Sequence, residues 1–175
     1  RFIDHKMLLI KKTDGTEEQL PFEKAIIATG SRPATIPGLP SSPRIWDSTG
    51  ALNLESIPSS LLIIGGGYIG LELGSVYATL GSKVSVVEMM PGLLPGADRD
   101  LVNILAKRLE KLFTKIRLNT KVASIQEQPD GMHVDFEGPG GTESDVFDRV
   151  LVSVGRKPNS GDLGLEHTKV EVDPK

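Results

Sequence analysis

The chain contains no cysteine. That absence excludes a disulfide, a zinc–thiolate centre and a thiol nucleophile from these residues. Its three histidines, His5, His133 and His167, stand in no ligand spacing and read as incidental, so no metal site is expected. No apolar run reaches membrane-spanning length, and the N-terminus lacks the pattern of a signal peptide. No tandem repeat is visible. Lys plus Arg number 20 and Asp plus Glu 23, a net charge of −3, with no basic stripe of the kind a nucleic-acid binder displays. The default expectation is a cytoplasmic protein.

What is present is a chain of 175 residues, 38% hydrophobic, with 19 glycines to place in turns and close contacts. That length suits one domain, or one domain with part of another. The chain begins at Arg1 without a Met, and Lys169–Asp173 alternates as a strand would. We expect an internal piece of a longer protein.

Met7–Lys11 and Glu18–Phe22 flank the turn dipeptide Asp14-Gly15 and read as a hairpin. Lys24–Ala28 reads as a short apolar strand. Prolines at 33, 37, 40, 43 and 58 make residues 32–60 an expected linker, with a short helix near Ser48–Leu54. Leu61–Ile64 is continuously apolar, as a central parallel strand requires when both its faces are covered. Tyr68–Leu80 reads as a helix and Val84–Val87 as the next buried strand. Asp98 is a plausible cap for a second helix with a stripe of Leu101, Leu105, Leu109 and Leu112. Ile116–Leu118 follows as a third strand. Val122–Gln126 and Met132–Phe136 bracket Asp130-Gly131 as an antiparallel hairpin, and Arg149–Ser153 returns as a strand. This order predicts an α/β fold: a Rossmann-like parallel sheet with helices and an antiparallel β-meander.

Chemistry concentrates in Gly65-Gly66-Gly67-Tyr68-Ile69-Gly70, which fits G-x-G-x-x-G between a strand and a helix. Gly65 permits the tight turn, and Gly67 lets a pyrophosphate approach the backbone. Gly70 and Gly74 let the helix press on the sheet. The first-turn amides and the helix dipole then attract anions. Glu88 lies 21 residues beyond Gly67 at the end of the second strand, where a carboxylate accepts hydrogen bonds from ribose hydroxyls. A carboxylate repels the 2′-phosphate of NADP, and no basic residue follows until Arg99, so charge favours NAD. The turn by itself is also compatible with FAD. Without a ligand the same glycines could form a simple tight loop, and Glu88 could be a solvated acid at a strand end. From the residues alone, Glu72 reads as a surface acid near a helix start.

Four segments occur together in one order: Ala28-Thr29-Gly30-Ser31-Arg32-Pro33, Gly65–Gly74 with Glu72 inside it, Val87-Glu88, and Val154-Gly155-Arg156-Lys157-Pro158-Asn159. In this the chain resembles the FAD-dependent pyridine nucleotide–disulfide oxidoreductases. The wording around Pro37–Pro40, Asp47–Leu52 and Leu94–Leu101 resembles the bacterial branch that serves the 2-oxoacid dehydrogenase complexes. The resemblance implies that residues 1–31 are the end of the first FAD-domain segment, so the last strands of an FAD domain precede the α/β unit. It implies a linker at 32–60, an NAD-binding domain at 61–154 and a return to the FAD domain at 155–175.

The resemblance also implies roles. Gly65, Gly67, Ile69 and Gly70 belong to the NAD turn, Val122 packs on the adenine, and Gly155 lies close to the dinucleotide. Tyr68 covers the flavin face until nicotinamide displaces it. Glu72 sits near nicotinamide and flavin and assists hydride-transfer geometry. Thr29 and Gly30 lie on the FAD side. A homodimer and an E2 partner in the complex are implied too. The redox cysteines and catalytic His/Glu of the family lie outside this chain, so alone it is expected to be inactive. The competing readings are another flavoprotein disulfide reductase (glutathione, mercuric or trypanothione type), a ferredoxin or nitrite reductase relative, and a non-catalytic nucleotide-binding or sensing module.

Overall fold

The structure, a computed structural model, describes residues 1–173. Its chain divides into two compact units, one built from Arg1–Arg32 with residues from Lys157 onward, the other from Pro33–Arg156.

In the first unit β1 (Phe2–Asp4), β2 (Met7–Lys11) and β3 (Glu17–Pro21) form an antiparallel sheet in that order. The expected hairpin is there. Asp14 Oδ1 accepts from the amide and hydroxyl of Thr16 at 2.9 and 2.6 Å, and Gly15 takes the left-handed φ of +85° that the turn needs. Phe2 packs edge-on against Phe22 at 5.6 Å. Two expected strands are absent. Lys24–Ala28 is irregular, with Ile26 95% exposed, because no described strand offers it a ladder of hydrogen bonds. Lys169–Asp173 likewise forms no strand, and Pro174 and Lys175 lie outside the described residues. Alternation of side chains does not make a strand without a neighbour to pair with. The chain leaves this unit through β4 (Ser31–Pro33).

The second unit runs β5 (Ile45–Trp46), α1 (Ser48–Leu52), β6 (Ser60–Ile64), α2 (Tyr68–Thr79), β7 (Lys83–Val87), α3 (Arg99–Leu112) and β8 (Lys115–Arg117). The meander β9 (Lys121–Gln128), β10 (Gly131–Gly138) and β11 (Gly141–Phe147) comes next, then β12 (Arg149–Val152). Five strands form one parallel sheet in the order β5-β12-β6-β7-β8. The chain exits through β13 (Arg156–Pro158).

Each central strand feeds two cores because its side chains alternate. Leu61, Ile63, Val84 and Val86 face Leu71, Tyr77, Leu109 and Phe113 on the helical side. Leu62, Ile64, Val87, Val150 and Val152 face Met132, Val134, Phe136 and Phe147 of the meander. This is why Leu61–Ile64 has no polar position. It is an α/β fold with a Rossmann-like sheet and an antiparallel meander.

Three expectations need correction here. Residues 32–60 do more than connect, because β5 joins the sheet edge beside β12; the expected short helix is there as α1, capped by Asp47, whose Oδ1 accepts from the Gly50 amide at 2.8 Å. The fully buried Tyr77 donates its hydroxyl to the Ala51 carbonyl at 2.7 Å, which fixes α1 to α2. Burial pushes the Tyr77 phenol above its ordinary pKa, so it stays a donor. On α3 the buried face is Val102, Leu105, Ala106 and Leu109, continuing to Phe113, while Leu101 is 65% exposed. Leucines four apart drift around a 3.6-residue helix, and the alternating three- and four-residue spacing is what stays on one face. Asp98 occupies the N-cap position of α3 but makes no side-chain capping bond.

Candidate dinucleotide site

The glycines of the turn after β6 serve two different purposes. Gly65 has φ +107°, and a Cβ there would lie 2.5 Å from the Ser153 carbonyl oxygen. At Gly70 a Cβ would meet Ser153 Oγ at 2.5 Å and Ile63 Cγ2 at 2.8 Å, and at Gly74 it would meet Ile63 Cδ1 at 2.5 Å. These three are glycine because protein presses on them. Gly67 is different. A Cβ there meets nothing within 4 Å, and its φ of −80° is open to any residue. Neither packing among the described residues nor backbone conformation calls for glycine at 67, which is what a ligand's close approach would explain.

Gly67 is also the N-cap of α2 and makes no side-chain capping bond. The amides that open a helix have no carbonyl one turn back, and here no capping side chain takes one up. They give the turn its attraction for a phosphate.

Glu88 ends β7 beside this turn. Its Oε2 accepts from the Gly66 amide at 2.7 Å and its Oε1 from the Met90 amide at 2.8 Å. Two backbone ties hold the carboxylate in place, and an ionised carboxylate has about four acceptor positions, so capacity remains for ribose hydroxyls. The main chain of Glu88 is pinned as well, its N–H donating to Arg117 O at 2.8 Å and its carbonyl accepting from Thr120 at 3.0 Å.

These groups open on a cleft of about 850 Å³. It lies beyond the C-terminal ends of β6, β7 and β12. β6 has β7 on one side and β12 on the other, so the chain's progress across the sheet reverses there, as at dinucleotide sites of open α/β sheets. Ile36, Pro37, Leu39, Val122 and Ile125 supply an apolar wall.

Of the expected site residues, Gly65, Gly67, Tyr68, Ile69, Glu88, Val122 and Gly155 all line this cleft. Gly70 packs behind the turn. Tyr68 is 64% exposed. Glu72 is exposed on α2 and is not among the lining residues. Thr29 and Gly30 belong to the first unit, where Thr29 exchanges hydrogen bonds with Asn159 at 2.8 and 3.0 Å and Gly30 O accepts from the Asn159 amide at 2.9 Å. The two motifs that end the flanking segments are therefore one interlocked structure.

Sequence reasoning missed Ile36–Leu39, Thr120 and Ser153, which also line the cleft. Only the wall's apolar character was available as a signal. Arg99 proves committed elsewhere: its guanidinium donates to the carbonyls of Leu93, Leu94 and Ala97 at 2.6 to 3.1 Å. The first basic side chain after Glu88 is thus spent on holding its own loop. Lys121 lines the cleft but pairs with Glu137 at 2.9 Å.

A parallel sheet, a glycine turn opening a helix and a carboxylate at the next strand end define a dinucleotide-binding α/β unit. The family model described as pyridine nucleotide-disulphide oxidoreductase matches residues 2–175. The chain belongs to that family. It is 46% identical to dihydrolipoyl dehydrogenase of Haemophilus influenzae over 173 residues, covering 98% of this chain and 36% of that protein. Dihydrolipoyl dehydrogenase of Thermus scotoductus is 48% identical over 151 residues, covering 85% of this chain and 33% of that protein. The HOCl-induced flavoprotein disulfide reductase RclA from Escherichia coli superposes with a TM-score of 0.80 at 32% identity, covering 99% of this chain and 38% of that one. The chain therefore spans about a third of the length of the relatives it matches.

Proposed function

We propose that the chain is the NAD-binding portion of a cytoplasmic dihydrolipoamide dehydrogenase of bacterial type. In this reading residues 61–154 form the NAD domain, while residues 1–31 and 155–175 belong to the FAD domain. The exposed Lys24–Ala28 segment, which pairs with no described strand, supports a missing neighbour of that kind. The parent would be a homodimer serving a 2-oxoacid dehydrogenase complex through its E2 component.

The observation that carries the reading is Gly67, glycine where the protein itself needs none. Around it each residue has a task. The amides opening α2 receive the pyrophosphate, Glu88 accepts from the adenosine ribose, and Val122 packs against the adenine. Gly155, at φ +126° with no neighbour within 4 Å of an added Cβ, leaves room for the chain of the dinucleotide. Tyr68 and Glu72 act at the nicotinamide end, Tyr68 as a cover and Glu72 as an orienting carboxylate. Bound NAD and FAD would together supply the hydride relay that reoxidises dihydrolipoamide. This chain contributes the positioning.

The test is calorimetric titration of NAD and NADP into the wild type and Glu88→Arg. Wild type prefers NAD by about tenfold or more, since a 2′-phosphate beside a carboxylate is repelled. The variant moves the ratio towards NADP. The ratio is the readout because losing the Gly66 and Met90 ties weakens both ligands. An unchanged ratio would refute the placement of Glu88 at the ribose.

A further inference from the structure

Ser153 follows β12, on the strand opposite Glu88 across β6, and no role for it emerges from the glycine motif. Its amide donates to Ile64 O at 2.9 Å. Its hydroxyl lies 3.1 Å from Ile64 O and 3.4 Å from Gly65 O. The Gly65 carbonyl and the Gly66 N–H are the two ends of a single planar peptide and point in opposite directions. One end faces Ser153 Oγ, and the other donates to Glu88 Oε2 at 2.7 Å. The next peptide is fixed as well, since Gly66 O accepts from the Leu94 amide at 2.9 Å. The Gly65–Gly66 peptide lies between two glycines, whose backbone is restricted by no side chain, so its orientation depends on the groups that hold it.

We infer that Ser153 is a positioning residue which, with Glu88, clamps the Gly65–Gly66 peptide from both sides and so aims the α2 amides at the phosphate site. The inference rests on the dinucleotide reading for its purpose, though the clamp itself exists without ligand. Glu88 thereby has two tasks, one towards the ribose and one towards the turn. A ligand that lacks ribose hydroxyls separates them.

The experiment uses Ser153→Ala, Glu88→Gln and the double variant of the full chain. Hydrogen exchange of the Gly66 amide is followed by NMR without ligand, with the Leu62 amide in the central strand as the control for general loosening. Titration with ADP and with 2′,3′-dideoxy-ADP follows. Each single variant should accelerate Gly66 exchange by about 3- to 10-fold while Leu62 is unmoved. The double variant should show less than the product of the two, because both act on one peptide. Ser153→Ala should weaken ADP and dideoxy-ADP by the same factor, and Glu88→Gln should weaken dideoxy-ADP as well. Wild-type Gly66 exchange in Ser153→Ala, or dideoxy-ADP affinity unchanged in both single variants, overturns the clamp. If the wild type binds neither ADP nor NAD, the dinucleotide reading falls, and Gly66 exchange still decides the clamp.

Discussion

The two faces of the parallel sheet are built from the same strands and solve different problems. On the helical face, Leu61, Ile63, Val84 and Val86 meet α2 and α3 at close quarters, and Gly70 and Gly74 are glycine so that α2 can sit on Ile63. On the other face, Leu62, Ile64, Val150 and Val152 meet a three-stranded meander whose aromatic anchors Phe136 and Phe147 pack edge-on at 6.3 Å. Arg117 lies over Phe136 at 4.4 Å and pairs with Asp145 at 3.0 Å, which ties β8 to the meander's outer strand. Val122 and Ile125 pack against this second core and also line the cleft. The helical face supplies rigidity and helix-end amides, and the meander face supplies an apolar wall. The cleft is lined from both, which makes the contrast testable.

The largest effect should come from Gly70→Val. A branched side chain at a point where even a Cβ would come within 2.5 Å of Ser153 Oγ overpacks the helical face. Destabilisation of about 3 kcal/mol or more is expected, seen as a lower midpoint in urea with loss of NAD binding. A variant as stable as wild type would mean that α2 is free to lift from the sheet.

Phe136→Ala tests the other face. Phe136 is 1% exposed, and its removal should cost about 3–4 kcal/mol. It also strips Arg117 of the ring it lies over, while the peptide of Arg117 holds Glu88. Adenosine affinity should therefore fall even under conditions where the variant is fully folded. Thermal unfolding beside AMP titration checks it, and unchanged AMP affinity in folded protein would uncouple the meander from the cleft.

Gly67→Ala sharpens the contrast between glycines. With no protein atom near an added Cβ, stability should move by less than about 1 kcal/mol. Dinucleotide affinity should fall by about tenfold or more, the methyl standing where a phosphate approaches. Calorimetry with NAD decides, and retained affinity removes the argument that glycine is there for a ligand.

The smallest effect concerns the solvent side of the meander. Asp135 accepts from Ser124 Oγ and Ser144 Oγ, both at 2.6 Å, and these bonds hold its carboxyl below the ordinary aspartate value. A folded pKa below the unfolded one means that the contribution is present above the unfolded value and is lost as pH falls through the folded one. Wild type should therefore lose a little more stability than Asp135→Asn below about pH 4. Parallel acid titrations of the two proteins measure the difference, and identical acid limbs would show that the bonds are exchanged freely with water.

Much of this arrangement was legible in the residues. The run Leu61–Ile64, the helix from Tyr68 and the strand ending at Val87 fall within a residue or so of where they were expected. Their signals are local: apolar continuity, glycines at a turn, and a carboxylate at a strand end. Most of the failures are equally instructive. Lys24–Ala28 has strand composition and pairs with no strand among the described residues. Residues 32–60 look like a linker by their prolines, and beside the expected short helix they carry β5, which joins the sheet. The exposed outer strand β11 was not distinguished within the meander, since six of its seven positions face solvent and carry no apolar pattern.

By itself, the sequence determined which segments are buried strands, where the helix after the glycine turn begins, and that a carboxylate stands at the end of the next strand. Those properties depend on side-chain period and backbone conformation within a few residues of each other. Only the tertiary structure decided why each glycine is glycine. Gly65 and Gly70 owe it to Ser153, more than 80 residues away, and Gly67 owes it to nothing among the described residues. It alone committed Arg99 to its own loop, joined Ile36–Leu39 to Val122, and set Ser153 and Glu88 at opposite ends of one peptide. Such facts are contacts between strands that parallel pairing brings side by side, and no local pattern records which distant residue will arrive there.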